Sequence, residues 1–323
     1  MFTLDEEKRY LRQIPLTGWG WEAQKKLKKS SLLVVGAGAL GCASLPYLVN
    51  AGVGKITLID GDRIEISNLH RQPLYTADEI GQLKVNVAKK KLSSLNPHVE
   101  IEAIPHFFTQ ENGRQLLSCD LLIDATDTFP ARLDIDTLCY EKNIPWIHAS
   151  LEQFMGQVIF FHRQLYTDLF PGLEQYTAVS CAEGGVLGPF ASMIGSFQAL
   201  LALQWLGGVG ADLPGKCFRI DALTWRIQSF TFTRHEKATI SHFELSQWME
   251  ENRDLLLVDI RNDEEIKGGD LGGVRLSTIA AWPKEKKVVL YCQRGIRSYA
   301  MAKQLRQKGI SAYSLEGGFA AHN

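Results

Sequence analysis

Ser31-Leu-Leu-Val-Val35 runs directly into Gly36-Ala-Gly38-Ala-Leu-Gly41, and apolar residues at helical spacing follow through Leu48, with Gly52 and Gly54 as stop signals. A short apolar run, a glycine turn and a helix start form the first step of a nucleotide-binding sheet. Glycine lets the backbone turn tightly and approach phosphate. The helix N-terminus adds free N–H groups and a positive dipole end. The next apolar run, Lys55–Ile59, ends at Asp60, about 20 residues on, where an acid can hold ribose hydroxyls.

Outward from this step the alternation continues. We read a helix over Gly20–Lys29 before it. After it come helix Lys84–Leu95, strand Val99–Ile104, helix Gln110–Leu117, strand Leu121–Asp124, helix Ala131–Lys142 and strand Pro145–Ala149. Strands alternating with helices predict an α/β fold, a Rossmann-like nucleotide-binding domain with a mostly parallel sheet. The pattern breaks at Arg234-His-Glu-Lys-Ala-Thr239 and then restarts with helix Ser241–Glu250, strands Leu255–Asp259 and Lys287–Tyr291, helix Ser298–Gln307 and strand Ala312–Leu315. We therefore expect two domains, 1–236 and 237–323, the second a small α/β unit.

The 323 residues carry a net charge of -1, with 45% apolar and 22% charged residues, so no basic field or polybasic arm points to nucleic acid or a membrane surface. The start, MFTLDEEKRY, lacks the apolar core of a signal peptide. Val186–Leu206 is free of charge and long enough to span a bilayer, but Pro189, Gly195 and Gln198 interrupt it, and we read a loop and a buried helix. Six cysteines without a CxxC pair fit a reducing, cytoplasmic setting rather than a disulfide framework or a zinc ribbon.

The residues after Asp60 argue against hydride transfer. Asp60-Gly-Asp62, Asn68-Leu-His-Arg71-Gln72 and then Lys84 bring cations toward a nucleotide's phosphates, as phosphoryl or nucleotidyl transfer requires. Thr126-Asp127 follows the strand ending at Asp124, and a carboxylate there can hold Mg²⁺ together with phosphate oxygens.

Taken together, Arg9-Tyr10-x-Arg12-Gln13, Gly36-x-Gly38-x-x-Gly41, Asp60-x-Asp62, Asn68-x-x-Arg71-Gln72, Gly81-x-x-Lys84 and Thr126-Asp127 resemble the ThiF/MoeB/HesA family, bacterial relatives of ubiquitin-activating enzymes. The resemblance implies that Asp60 holds ribose, that Asn68, Arg71 and Lys84 bind ATP phosphates, and that Asp127 binds Mg²⁺. It also implies that Arg12 reaches the neighbouring subunit's site in a homodimer. The reaction implied is adenylation of the C-terminal Gly carboxylate of a small ubiquitin-like sulfur carrier ending in Gly-Gly. Two departures stand out. Thr128 replaces the family's usual Asn, and the two CxxC pairs of the family's zinc site are missing, at Leu165–Pro171 and at Arg234–Lys237. We expect no zinc, and some other packing to tie those loops down.

Two cysteines have unusual settings. Cys181 sits in Ser180-Cys181-Ala-Glu-Gly-Gly185, a glycine-rich loop that matches the family's crossover-loop cysteine. A strand over Val288–Tyr291 runs into Cys292-Gln-Arg294-Gly295-Ile-Arg297-Ser298 and a helix start. Such a loop aims backbone N–H groups at one point and stabilises a thiolate or persulfide. This segment, with Asp259-Ile-Arg261 and Gly317-Gly318-Phe319, resembles a rhodanese-like sulfurtransferase domain. The implied sequence is adenylation, then sulfur transfer from a Cys292 persulfide loaded by a cysteine desulfurase or another donor, giving a thiocarboxylate. The carrier's pathway, thiamine or molybdopterin, stays open. Competing readings are an NAD-dependent oxidoreductase, which leaves Asn68–Gln72 and Lys84 without a purpose, an adenylating tRNA-modification enzyme, which the net charge disfavours, and an inactive docking scaffold.

Overall fold

The runs Leu32–Val35 and Leu121–Ile123 have no polar face, which suits central strands buried on both sides. In the computed structural model they are that. It describes residues 2–170, 185–210, 212–232, 239–251, 254–263, 265–278, 282–315 and 317–321. The chain divides into two compact units, Met1–Arg234 and His235–Asn323.

Among the described residues the first unit holds eight strands: β1 (Ser31–Val35), β2 (Lys55–Ile59), β3 (Glu100–Ile104), β4 (Leu121–Asp124), β5 (Trp146–Glu152), β6 (Met155–Phe161), β7 (Lys216–Asp221) and β8 (Arg226–Thr231). Their order is β3-β2-β1-β4-β5-β6-β7-β8. The first five pair in parallel, and β5 to β8 turn back on one another antiparallel. The sequence pattern gave the parallel half and its helices to within a few residues. It gave neither the first helix, Leu4–Tyr10, nor the antiparallel extension.

The apolar helix Gly188–Gly207 is the one helix among the described residues long and apolar enough to cross a membrane. Here it packs within the first unit against helix Ala39–Ala51 and strands β5 and β6, burying Phe190, Ile194, Leu201 and Leu206. Gly195 permits this approach, because a Cβ there would lie 2.5 Å from the Leu40 carbonyl oxygen. Of the two segments where the family pattern calls for zinc, 234–237 lies outside the described residues; around the other, the rings of Trp146 and Phe161 stack at 4.4 Å. Phe232 meets Phe161 at 5.4 Å, and Tyr166 meets Phe170 at 4.7 Å. Aromatic burial of this kind ties strand ends to a loop through area and ring geometry.

The second unit is a five-stranded, all-parallel sheet of β9 (Thr239–Ile240), β10 (Leu255–Asp259), β11 (Val274–Arg275), β12 (Lys287–Tyr291) and β13 (Ala312–Leu315), in the order β11-β10-β12-β13-β9. The two-residue strands β9 and β11 are too short to carry a period and were not read from sequence. Helices His242–Glu250 and Ile296–Gln307 accompany the sheet. The first is capped by the Ser241 hydroxyl, which accepts from the Glu244 N–H.

Candidate functional site

Strands β1, β2 and β4 end side by side, and a cleft of about 1190 Å³ opens at their carboxyl ends. Open parallel sheets place ligands there. Gly36 has φ +106°, and a Cβ on it would lie 2.6 Å from the Ala125 carbonyl oxygen. A Cβ on Gly41 would lie 2.3 Å from the Gly36 carbonyl oxygen. The two glycines therefore let the turn fold under itself, and Gly38 leaves the cleft floor bare at the N-terminus of helix Ala39–Ala51.

Asp60 follows β2. Its carboxylate accepts from the N–H groups of Ala37 and Asp62, each at 2.7 Å, which ties the glycine turn to the next loop. Burial pushes its carboxyl above the usual range, against those two hydrogen bonds. Lys84 opens helix Lys84–Leu95, is only 5% exposed, and meets Asp62 at 2.9 Å. A buried ammonium with a single carboxylate partner is poised to exchange part of that contact for phosphate oxygens. Asn68 is held by its side-chain oxygen, which accepts from the Glu65 N–H at 3.1 Å. The Arg71 guanidinium donates to the Ser67 carbonyl at 2.7 Å. Gln72 is buried, and its side-chain oxygen has no partner among the described residues. Thr126 and Asp127 close the far side of the cleft, and the Asp127 carboxylate is exposed there.

The cleft thus gathers Gly36, Gly38, Asp60, Asp62, Asn68, Arg71, Gln72, Lys84 and Asp127, with Gly41 just beneath. Arg12 is exposed on the turn after the first helix and does not line this cleft. Cys181 lies outside the described residues. The bare glycine floor, the helix N-terminus, the cationic Lys84 and Arg71 and the exposed Asp127 fit a nucleotide triphosphate with a magnesium ion. Among the described residues no group of three or more His, Cys, Asp or Glu is placed to hold a metal.

The sequence reading missed the layer behind Thr126-Asp127. Asp124, at the end of β4, is wholly buried. It accepts from Thr126 N–H at 3.0 Å, from Thr126 Oγ1 at 2.6 Å and from His148 Nδ1 at 2.8 Å, while Arg132 Nε lies at 3.5 Å. Gln198 donates to the Asp124 carbonyl at 2.8 Å. An acid at the end of an otherwise apolar strand was a visible signal, but its partners come from β5 and two helices. Phe107 and Phe108, just after β3, also line the cleft and were passed over.

In the second unit Cys292 directly follows β12. Its sulfur is met by the Ser298 hydroxyl and by the N–H groups of Ser298, Arg294 and Arg297. Burial pushes this thiol up, and those donors more than offset it, so it lies below the usual thiol range. Among the described cysteines this sets Cys292 apart. Burial pushes Cys42 and Cys119 up to about 12 and Cys217 up to about 11, and these stay protonated and inert. The flanking motifs build the loop's walls. Arg261 clamps Asp259 and lies 4.0 Å over the Phe319 ring. Gly318 has φ +63°, and a Cβ there would lie 2.2 Å from the Cys292 carbonyl oxygen. Glu265 pairs with Arg297 at the loop's edge.

The ThiF family profile matches residues 10–240, and the rhodanese-like domain profile matches residues 241–323. A sulfur carrier protein adenylyltransferase of Thermus thermophilus is 40% identical over 76% of this chain and 94% of its own length. The Mycobacterium tuberculosis protein described as probable adenylyltransferase/sulfurtransferase MoeZ is 29% identical over 98% of this chain and 93% of its own. The molybdopterin-synthase adenylyltransferase of Escherichia coli is 35% identical over 70% and 93%. Among solved structures, the microcin C7 biosynthetic enzyme MccB in complex with N-formylated MccA shares the fold. Its TM-score is 0.65 at 21% identity, covering 72% of this chain and 74% of that one. The glycine turn under the cleft, the cations around it and the cysteine loop of the second unit are accordingly those of a member of the ThiF family that carries a C-terminal rhodanese-like domain.

Proposed function

We propose that this protein is an ATP-using adenylyltransferase and sulfurtransferase that activates the C-terminal glycine carboxylate of a small ubiquitin-like sulfur carrier and converts it to a thiocarboxylate. The observation that carries the reading is the convergence of Gly36, Gly38, Asp60, Asn68, Arg71, Lys84 and Asp127 on one cleft at the sheet's carboxyl edge. The names of the relatives support the same chemistry.

In the first step a carboxylate oxygen of the carrier attacks the α-phosphorus of ATP. An oxygen–phosphorus bond forms, pyrophosphate leaves with the electron pair, and an acyl-adenylate remains. Lys84 and Arg71 stabilise the charge that builds on the phosphate oxygens. Asp60 orients the ribose. Asp127 would hold Mg²⁺, which neutralises phosphate charge when bound. In the second step a Cys292 persulfide, loaded by a cysteine desulfurase or another sulfur donor, attacks the activated carbonyl. A carbon–sulfur bond forms and AMP leaves, giving an acyl disulfide. A thiol then attacks the Cys292 sulfur: a disulfide to Cys292 forms, the old sulfur–sulfur bond breaks, the thiocarboxylate leaves with the electron pair, and an external thiol reductant reopens the disulfide for the next turnover. Cys181 is the candidate thiol within the chain. Arg12 would complete the adenylation site of a partner in a homodimer. On this reading the protein acts in the cytoplasm and needs no structural zinc; the ring contacts of Phe161 with Trp146 and Phe232 support that reading as an alternative way to fasten the strand ends.

The test is a reconstitution with carrier, ATP, Mg²⁺ and thiosulfate or a desulfurase, read by intact mass of the carrier. Cys292→Ala should keep carrier-dependent pyrophosphate exchange and lose the mass gain of oxygen-to-sulfur exchange. Full thiocarboxylate yield from that variant, with no other sulfurtransferase present, would refute the fused reading. Cys181→Ala decides whether Cys181 supplies the resolving thiol.

A further inference from the structure

Behind Cys292 stand two fully buried serines. Ser298 Oγ lies 3.5 Å from Cys292 Sγ and 2.7 Å from Ser314 Oγ. Both hydroxyls also reach the Gly295 carbonyl oxygen, at 3.0 Å and 3.3 Å, but that oxygen already accepts the Tyr299 N–H at 3.0 Å. Each hydroxyl has one proton to give. A 2.7 Å contact between two oxygens needs one of those protons between them. If Ser298 donates to Ser314, nothing is left for the sulfur. If Ser314 donates to Ser298, the Ser298 proton is free to point at Sγ.

An anionic sulfur favours the second arrangement, because a hydrogen bond to an ionised acceptor is the stronger one. The Gly295 carbonyl loses little in that arrangement, since its Tyr299 partner remains. We propose that Ser314 is a positioning residue for the sulfur chemistry of Cys292, holding the Ser298 hydroxyl in the orientation that donates to the thiolate. The inference rests on the reading of Cys292 as the sulfur acceptor. In that step the thiolate attacks the outer sulfur of thiosulfate. The new sulfur–sulfur bond forms, the old one breaks, and sulfite leaves with the electron pair.

Other charged and titratable groups face the loop. Arg294 and Arg297 belong to it, Glu265 pairs with Arg297 from the turn after β10, Asp259 and Arg261 pair at the end of β10, and His242 meets the Gly318 carbonyl. Among the described residues none of these hydrogen-bonds Ser314, whose partners are Ser298 and Gly295. A change at position 314 therefore reports on the hydroxyl pair.

The experiment is the pH dependence of Cys292 alkylation by iodoacetamide in the full chain, resolved from the other cysteines by the mass of the modified peptide. Ser314→Ala and Ser298→Ala should each raise the alkylation midpoint by about one pH unit, the loss of one charge-assisted hydrogen bond. The double variant should show no further rise, because Ser314 acts through Ser298. An unchanged midpoint in Ser314→Ala overturns the proposal, as does a Ser314→Ala shift that persists in full on the Ser298→Ala background. Ser314→Thr and Ser314→Val have one shape and suit a strand, so they serve if the alanine variant fails to fold. Valine should raise the midpoint and threonine should not, and equal midpoints overturn the proposal. Persulfide formation from thiosulfate is followed in parallel. Its failure in the unsubstituted protein would sink the sulfur-acceptor reading, while the midpoints still judge the serine pair.

Discussion

His148 donates from Nδ1 to the Asp124 carboxylate at 2.8 Å, and both side chains are fully shielded from water. Strands β4 and β5 pair so that Asp124 lies beside His148. Asp124 in turn holds the N–H and hydroxyl of Thr126, so this pair sets the backbone that presents Asp127 to the cleft.

The pair predicts a pH dependence of stability. Burial, then the charge of Arg132, pushes His148 down to about 4, against the pull of Asp124. Unfolded, the ring titrates near its usual value of about 6.5. Between those values the unfolded chain binds a proton that the native chain does not, so the stabilisation is complete above about 6.5 and falls as pH drops toward about 4. The loss is about 3 kcal/mol over that window. Urea unfolding across the range measures it. His148→Asn should flatten the slope, and an unchanged slope would show that another group titrates.

Lys84→Met removes the buried cation while keeping its stem volume. Adenylation, read as carrier-dependent ATP–pyrophosphate exchange, should fall by about 100-fold, the usual effect of deleting one preorganised charge-stabilising donor. Loss of substrate affinity alone, with kcat intact, would place Lys84 in ground-state binding instead.

Asp127→Asn keeps the shape of an exposed side chain and removes its charge. Exchange activity at saturating Mg²⁺ should drop by about 100-fold or more, since metal neutralisation of phosphate is worth several kcal/mol. Thermal melting should stay within about 0.5 kcal/mol of the parent, as for most surface substitutions. Near-normal exchange would remove the metal role from Asp127.

Arg12 lies away from the cleft of its own chain. If it completes a partner's site, mixing inactive Arg12→Ala with inactive Asp127→Asn subunits should restore part of the activity through mixed dimers. Absence of recovery despite demonstrated subunit exchange would show that Arg12 does not act across the interface.

The residues whose local chemistry is self-contained were legible in the sequence. Gly36, Gly38 and Gly41 read as a phosphate turn because only glycine tolerates the positive φ of Gly36 and the near contacts beneath it. The strands Ser31–Val35, Lys55–Ile59, Leu121–Asp124 and Lys287–Tyr291 stood out because apolar runs bounded by turn residues mark buried strands. The Cys292 loop was readable because a strand–loop–helix step fixes where its N–H groups point. What only the tertiary structure decided was pairing at a distance. The reversal of β5 through β8, the edge strands β9 and β11, the His148–Asp124 bond and the Ser314–Ser298 contact all join residues from separate elements. No local period or spacing encodes such partners, because the energy that selects them, the burial of polar groups that must be satisfied, exists only once the elements are packed.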